Sequence, residues 1–318
     1  MPSLIKLNKS TKKCNLSDFS KINNKILILR KCGGYGDIIN MRMIFQDLKL
    51  ACPDFDFYWA LPHGYFPAAA KHPYVKDLVN FSDFKESDYL AVYNLTHCCT
   101  KYEWSLGIKC DKNRSDIWAE YMGLDLNNHN CFMPDYSNLF PSIKERLISL
   151  GWDGIKKLVA FAPKSALSVK NLTFDQCKFI QTITKEFFLF TIHNVPILDL
   201  YSLDIPFLTN LSLSESMSAI QFSDFVIASD TGHLHCAGGY KKPSVGIFCY
   251  TNSENICRYY ETVYVVQGRY RSVDDFCGPC NNFGNCVIDQ NESKKPCLTN
   301  ITTDMIGNAW KKALNNNK

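Results

Sequence analysis

The chain has 318 residues, 46% hydrophobic and 21% charged, with a formal net charge of +4. That composition excludes a disordered chain, which has too little apolar surface to bury, and the length points to two domains or one large one. The mildly basic balance permits an anionic substrate or a nucleic-acid partner but does not by charge alone argue for either.

The first twenty residues, MPSLIKLNKSTKKCNLSDFS, are lysine-rich and lack the apolar core of a secretion signal. No run of about 18 apolar residues suggests a membrane span, so a cytoplasmic protein is expected. The 15 cysteines are odd in number, and most stand singly in apolar stretches, as Cys32, Cys177 and Cys249 do. A reduced cysteine in such a place behaves as a small hydrophobe.

Residues 25–30, KILILR, form an apolar run that breaks into Lys-Cys-Gly-Gly-Tyr-Gly-Asp, and INMRMIFQDLKLACP follows with apolar residues at helical spacing. This is strand, glycine loop, helix. Pro53 stops the helix, FDFYWAL reads as a strand before Pro62, HPYVKDLVNF as a turn and a strand, and YLAVYNL as another strand. The pattern then restarts. KKLVAFAP (156–163) is a strand, SALSVKNLTFDQCKFIQTITKEF a polar loop and helix, FFLFTI a strand, SLSESMSAIQFS a helix, and DFVIAS and SVGIFCY two more strands.

Strands alternating with helices predict parallel sheets covered on both faces. The two arrays meet around residues 135–155, where Pro134, Pro141, Gly151 and Gly154 cluster. An α/β architecture of two doubly wound domains with a cleft between them is expected, with ligands at the carboxyl ends of the strands. The boundaries read as 1–145 and 155–300, with an amphipathic helix in 301–318 that carries Met305, Ile306, Trp310 and Leu314 on a common side.

The stretch SDTGHLHCAGGYKKPSVGIFCY (229–250) follows a strand with Asp-Thr-Gly-x-x-His and small residues. Thr231 and Gly232 would present backbone N–H groups at a helix N-terminus, a site that favours phosphate oxygens. Asp230 can cap that helix, His235 lies one turn in, and Ala237, Gly238 and Gly239 allow close packing on the sheet. Lys170, in a loop after a strand, is placed as a point charge for phosphate. Taken singly, these residues also fit a helix cap, core histidines and a solvated lysine, and Asp37 of the glycine loop fits a first-turn acid.

Three segments carry a resemblance: KILILRKCGGYGDIINMRMIFQDLKLACPDFDFYWAL, LVAFAPKSALSVKNLTFDQ and SDFVIASDTGHLHCAGGYKKPSVGIFCYTN. In order and approximate spacing the chain resembles glycosyltransferase family 9, the ADP-heptose:lipopolysaccharide heptosyltransferase-like enzymes, from about residue 25 to 310. The resemblance implies a GT-B fold, two Rossmann-like domains facing across a cleft. It assigns the acceptor to the domain at 1–145 and the nucleotide-sugar to that at 155–300, and it implies a terminal helix packing back on the first, the alternative being a plain docking helix. It implies an inverting transfer of a sugar from a nucleotide-sugar to an acceptor hydroxyl, with no cofactor required for catalysis. Asp37 becomes the general base, and Ser165, Lys170, Asp230, Thr231, Gly232 and His235 the donor-binding residues. The chain departs from the family at His233, where a small or apolar residue is usual, and at Lys170-Asn171-Leu172-Thr173, where the family has Lys-x-Trp-Pro.

Near the end, CGPCNNFGNCVIDQNESKKPC places Cys277, Cys280, Cys286 and Cys297 at spacings open to a structural zinc, the alternative being a loop of free or partly disulfide-linked thiols. The expected acceptor is a saccharide such as the lipopolysaccharide core. Modified DNA, with hydroxylated bases as acceptor, is the alternative, suggested by the aromatic-basic stretches CRYY (257–260) and GRYRS (268–272). A non-catalytic nucleotide-sugar or nucleic-acid binding protein is the reading from another class.

Overall fold

A computed structural model describes residues 24–106, 109–194, 196–249, 251–271, 276–277 and 296–315. The chain divides into two units. One takes in residues up to Tyr102 together with Lys112–Pro134, and the other takes Glu103–Asp111 and everything from Asp135.

The first unit is built on β1 (Lys25–Leu29), followed by α1 (Tyr35–Met41), α2 (Ile44–Ala51), β2 (Asp56–Leu61), β3 (Asp77–Asn80) and β4 (Ala91–Asn94). Helix α3 (Cys98–Leu106) begins in this unit, and α4 (Arg114–Tyr121) belongs to it. The four strands are parallel in the order β3-β2-β1-β4. Ile26, Leu27 and Ile28 are fully buried, as an apolar run between two paired neighbours must be.

The single helix expected after the glycine loop is interrupted at Arg42 and Met43. Arg42 is fully buried, and its guanidinium donates to the carbonyls of Cys131 (2.6 Å), Ala68 (2.9 Å), Ala70 (3.2 Å) and Phe132. At the break the Phe45 N–H reaches back only three residues, to the Arg42 carbonyl. An arginine at a core-facing position needs acceptors for its five donors, and here four backbone carbonyls gather around the helix junction to supply them.

The second unit contains α5 (Phe140–Ser149), β5 (Leu158–Ala162), α6 (Phe174–Ile183), β6 (Phe188–Ile192), β7 (Phe207–Leu208), α7 (Leu213–Phe222), β8 (Phe225–Ser229), α8 (Gly232–Gly239), β9 (Ser244–Phe248), α9 (Ser253–Cys257), β10 (Val263–Gln267) and α10 (Thr303–Asn315). Its six strands are parallel in the order β10-β9-β8-β5-β6-β7, so the chain runs outward from β5 to one edge and then from β8 to the other. That is the doubly wound pattern, and its topological switch point lies between β5 and β8.

Part of the expected linker is structured. Pro141 stands in the first turn of α5, where a missing N–H costs nothing, and Phe140 packs its ring 5.0 Å from that of Phe222 on α7. The terminal helix α10 buries Ile306, Ala309, Trp310 and Ala313 in the core of the second unit, whereas the resemblance implied that it packs back on the first. The Trp310 ring lies 5.2 Å from Phe225 and 5.4 Å from Phe187, in edge-to-face geometry.

Candidate functional site

The sequence-selected residues gather at the switch point of each sheet. In the first unit, β1 runs into the glycine loop and β4 ends opposite it. Gly34 takes extended backbone as the N-cap of α1, which puts Asp37 in the first helical turn. Its carboxylate is spanned by two guanidinium groups: Arg30 Nη2 lies 2.8 Å from Oδ2 and Arg114 Nη1 lies 2.7 Å from Oδ1. The three side chains are between 6% and 14% exposed. Arg30 is itself anchored, donating from Nη1 to the Leu95 carbonyl at 3.3 Å and lying 5.0 Å over the buried Trp118 ring.

Gly33 makes this arrangement fit. Its φ is +114°, and a Cβ there would stand 2.5 Å from Arg30 Nη2 and 2.8 Å from Asp37 Oδ2. No other residue can take that backbone beside that ion pair. Neither arginine was singled out from the sequence. Arg30 carries a faint signal as the last residue of the KILILR run, but Arg114 lies 77 residues beyond Asp37 and carries none.

In the second unit, the loop after β5 and the loop after β8 meet. Lys170, on a single 3-10 turn, places Nζ 2.7 Å from Asp230 Oδ2, with side-chain exposures of 15% and 7%. Burial pushes the Asp230 carboxyl up, but the Lys170 ammonium, His235 and the Thr251 hydroxyl together outweigh it and hold the group below the usual carboxylate range. Asp230 therefore does not cap α8; the N-cap is Thr231, in extended conformation. Thr231 Oγ1 is buried and has no hydrogen-bond partner among the described residues.

His235 is 4% exposed, with Nδ1 3.3 Å from Tyr260 Oη. Gly238 makes room for that same tyrosine, since a Cβ there would lie 2.3 Å from Tyr260 Cγ. The close approach of α8 to the sheet comes instead at Gly246 of β9, where an added Cβ would meet Leu234 at 2.8 Å. His233 bonds Ser216 Oγ through Nε2 at 3.0 Å, and burial, helped by nearby His193, pushes it down to about 4. It is neutral at pH 7.

Ser165 is half-buried in the Lys170 loop, its N–H held by Asn171 Oδ1 at 2.8 Å. Where the family has tryptophan and proline, Leu172 enters the core and Thr173 caps α6 in a reciprocal capping box with Gln176. In the CRYY stretch Tyr260 is buried against α8, while Arg258 is exposed and donates to Glu254 and to the Asp111 carbonyl.

Of the proposed zinc ligands, Cys280 and Cys286 lie outside the described residues. Cys277 falls in a short strand paired with Tyr270, and Cys297 is a buried core residue. Among the described residues no three His, Cys, Asp or Glu side chains form a group able to hold a metal, so zinc gains no support there. Likewise, among the described residues no helix is long and apolar enough to cross a membrane.

Residues 200–282 match the family model of glycosyltransferase family 9 (heptosyltransferase), a stretch that includes Asp230, Thr231, Gly232 and His235. No curated protein sequence matches the chain. Among solved structures, a glycosyl transferase family 9 protein from Veillonella parvula DSM 2008 aligns at TM-score 0.68 and 13% identity, covering 92% of this chain and 97% of that one. The ADP-heptose lps heptosyltransferase II of E. coli aligns at 0.62 and 12%, covering 91% and 98%. E. coli heptosyltransferase WaaC with ADP aligns at 0.59 and 13%, covering 91% and 99%. At such identities the structures speak for the fold, which is GT-B. The family match falls on the third of the three segments that carry the resemblance, SDFVIASDTGHLHCAGGYKKPSVGIFCYTN, and agrees with the resemblance there.

Proposed function

We propose that this protein transfers a sugar from a nucleotide-sugar donor to an acceptor hydroxyl, with inversion at the anomeric carbon. The observation that carries the reading is the Lys170–Asp230 pair beside Thr231, at the switch point of the six-stranded sheet and at the start of α8. A diphosphate there would meet the lysine ammonium and the first N–H groups of the helix, and one of its oxygens would satisfy the buried Thr231 hydroxyl.

In the reaction, the bond between the anomeric carbon and the diphosphate oxygen breaks as the acceptor oxygen attacks from the opposite face. The leaving diphosphate gains charge, which preorganised donors and cations stabilise best. Lys170, the α8 N-terminus and His235 are assigned that part, and Ser165 a second contact to phosphate. Asp37 takes the acceptor proton, which asks for an ionised carboxylate within hydrogen-bond reach. A saccharide acceptor is the family's default and is retained.

The test is thermal unfolding of the protein with ADP-, UDP-, GDP- and CMP-linked sugars, followed by a transfer assay. A donor at about 100 times its dissociation constant adds roughly 2.7 kcal/mol to stability. One base is expected to stabilise the protein, with the effect lost in Lys170→Ala and Asp230→Ala. Asp37→Ala should retain the donor response and lose transfer. The reading fails if no donor stabilises the protein and no saccharide panel yields product above the Asp37→Ala control.

A further inference from the structure

The Asp37 carboxylate is engaged at both oxygens, and the two arginines seen to pair with it among the described residues are held in different ways. Arg30 is a fixture of the fold, tied to the Leu95 carbonyl and lying over Trp118. Arg114 opens α4, whose N-terminus is set by Asn113 accepting the Ser115 N–H at 3.0 Å. Ser115 Oγ then donates to the Asn40 carbonyl of α1 at 3.0 Å. The helix carrying Arg114 is thus pinned to the helix carrying Asp37, close to the ion pair it forms. The Cys99 thiol adds a contact to the Arg114 carbonyl.

Resting on the transfer reading above, we propose that Arg114 is a positioning residue for the reaction. It orients the Asp37 carboxylate through Oδ1 and keeps it ionised to a lower pH than Arg30 alone would. Among the described residues the charged groups seen to pair with the carboxylate are Arg30 from the end of β1 and Arg114 from α4; behind them, at the start of α3, the Cys99 thiol senses both arginines and the Cys98 thiol senses Arg30. A cation within a few ångströms favours the carboxylate form, by about 1 to 3 pH units in its titration. A base that must be ionised therefore loses activity on acidification at a higher pH once that cation is gone.

The experiment compares wild type with Arg114→Gln and Arg114→Lys. In each, the pH profile of kcat/KM is measured alongside the carboxyl 13C titration of Asp37, assigned by its disappearance in Asp37→Asn. The acidic limb and the 13C midpoint are both expected to move up by about one pH unit or more in Arg114→Gln, and to return most of the way in Arg114→Lys. A uniform fall in rate with limb and midpoint unmoved would overturn the proposal, because a merely structural arginine gives that result. Urea unfolding followed by a probe in the first unit serves as the folding control. Arg114→Met is the second neutral variant should glutamine not fold. A displaced 13C midpoint in a protein that transfers nothing would sink the transfer reading and leave the role of Arg114 in setting Asp37 ionisation standing; transfer with an undisplaced midpoint would do the reverse.

Discussion

Removing the Lys170 ammonium leaves the Asp230 carboxylate buried with its principal counter-charge gone, a change that costs about 3–5 kcal/mol in buried pairs. The folded protein holds Asp230 below the usual carboxylate range, so the pair stabilises the fold at neutral pH, and the contribution fades as pH falls through the folded value. Lys170→Met is therefore expected to lose several kcal/mol in urea unfolding at pH 7 and distinctly less once the pH is taken below the usual carboxylate range, where the carboxyl of both proteins accepts a proton. An equal loss at both pH values would mean the lysine acts through packing. This pair also marks what the sequence could and could not disclose at the site. Asp230, Thr231, Gly232 and His235 stand in one short run, so their common anion chemistry can be read directly. The ion pairs Lys170–Asp230 and Arg114–Asp37 join distant parts of the chain. The sequence marks Lys170 and Asp230 each as an anion-site candidate but not as a pair, and it marks Asp37 while staying silent about both arginines, because a pattern read along the chain carries no record of which side chains the fold brings together.

At the level of elements, the central strands were legible because strands buried on both faces must be apolar throughout, as KILIL, LVAFA and FVIAS are. Edge strands lose that constraint. β10 buries only Val266 of its five residues, β7 is two residues long, and neither rises above its surroundings. The break between α1 and α2 was hidden for another reason, since helical spacing continues through it and only the carbonyls around Arg42 reveal it. The terminal helix shows the opposite case, with its apolar stripe plain in the sequence and its docking partner not. Trp310 is 3% exposed between Phe225 and Phe187, so Trp310→Ala should cost the second unit about 3–5 kcal/mol through lost burial and the cavity left behind. The measurement is the urea midpoint followed by a probe in that unit, and a loss under 1 kcal/mol would show that α10 is an appendage to the core rather than part of it.

Across the whole molecule, two histidines are held neutral inside the fold, one in each unit. His72 donates from Nε2 to the Arg42 carbonyl at 3.0 Å and accepts the Tyr74 N–H on Nδ1, a bonding pattern that only the neutral ring satisfies. Burial first, and then the Arg42 charge, pushes it down to about 3. His233 sits at about 4. In the unfolded chain both titrate near 6.5, so the unfolded state takes up protons that the folded state refuses as pH falls below that value. The stability they confer is complete above about pH 6.5 and erodes below it, down to about 4 for His233 and about 3 for His72, at roughly 1.4 kcal/mol per pH unit for each ring. Between pH 6.5 and 5 the Asp230 carboxylate is still ionised, which leaves histidine as the source of the slope in that window. Calorimetry at pH 7, 6 and 5 should show a falling unfolding temperature in wild type and a shallower fall in His72→Gln, whose amide can still donate to the Arg42 carbonyl. His233→Gln should flatten the slope in the same way. If the two units unfold as separate transitions, each substitution should act on the transition of its own unit. A wild-type unfolding temperature that stays level from pH 7 to 5 would mean that the two rings are protonated in the folded protein, contrary to the hydrogen bonds that enclose them.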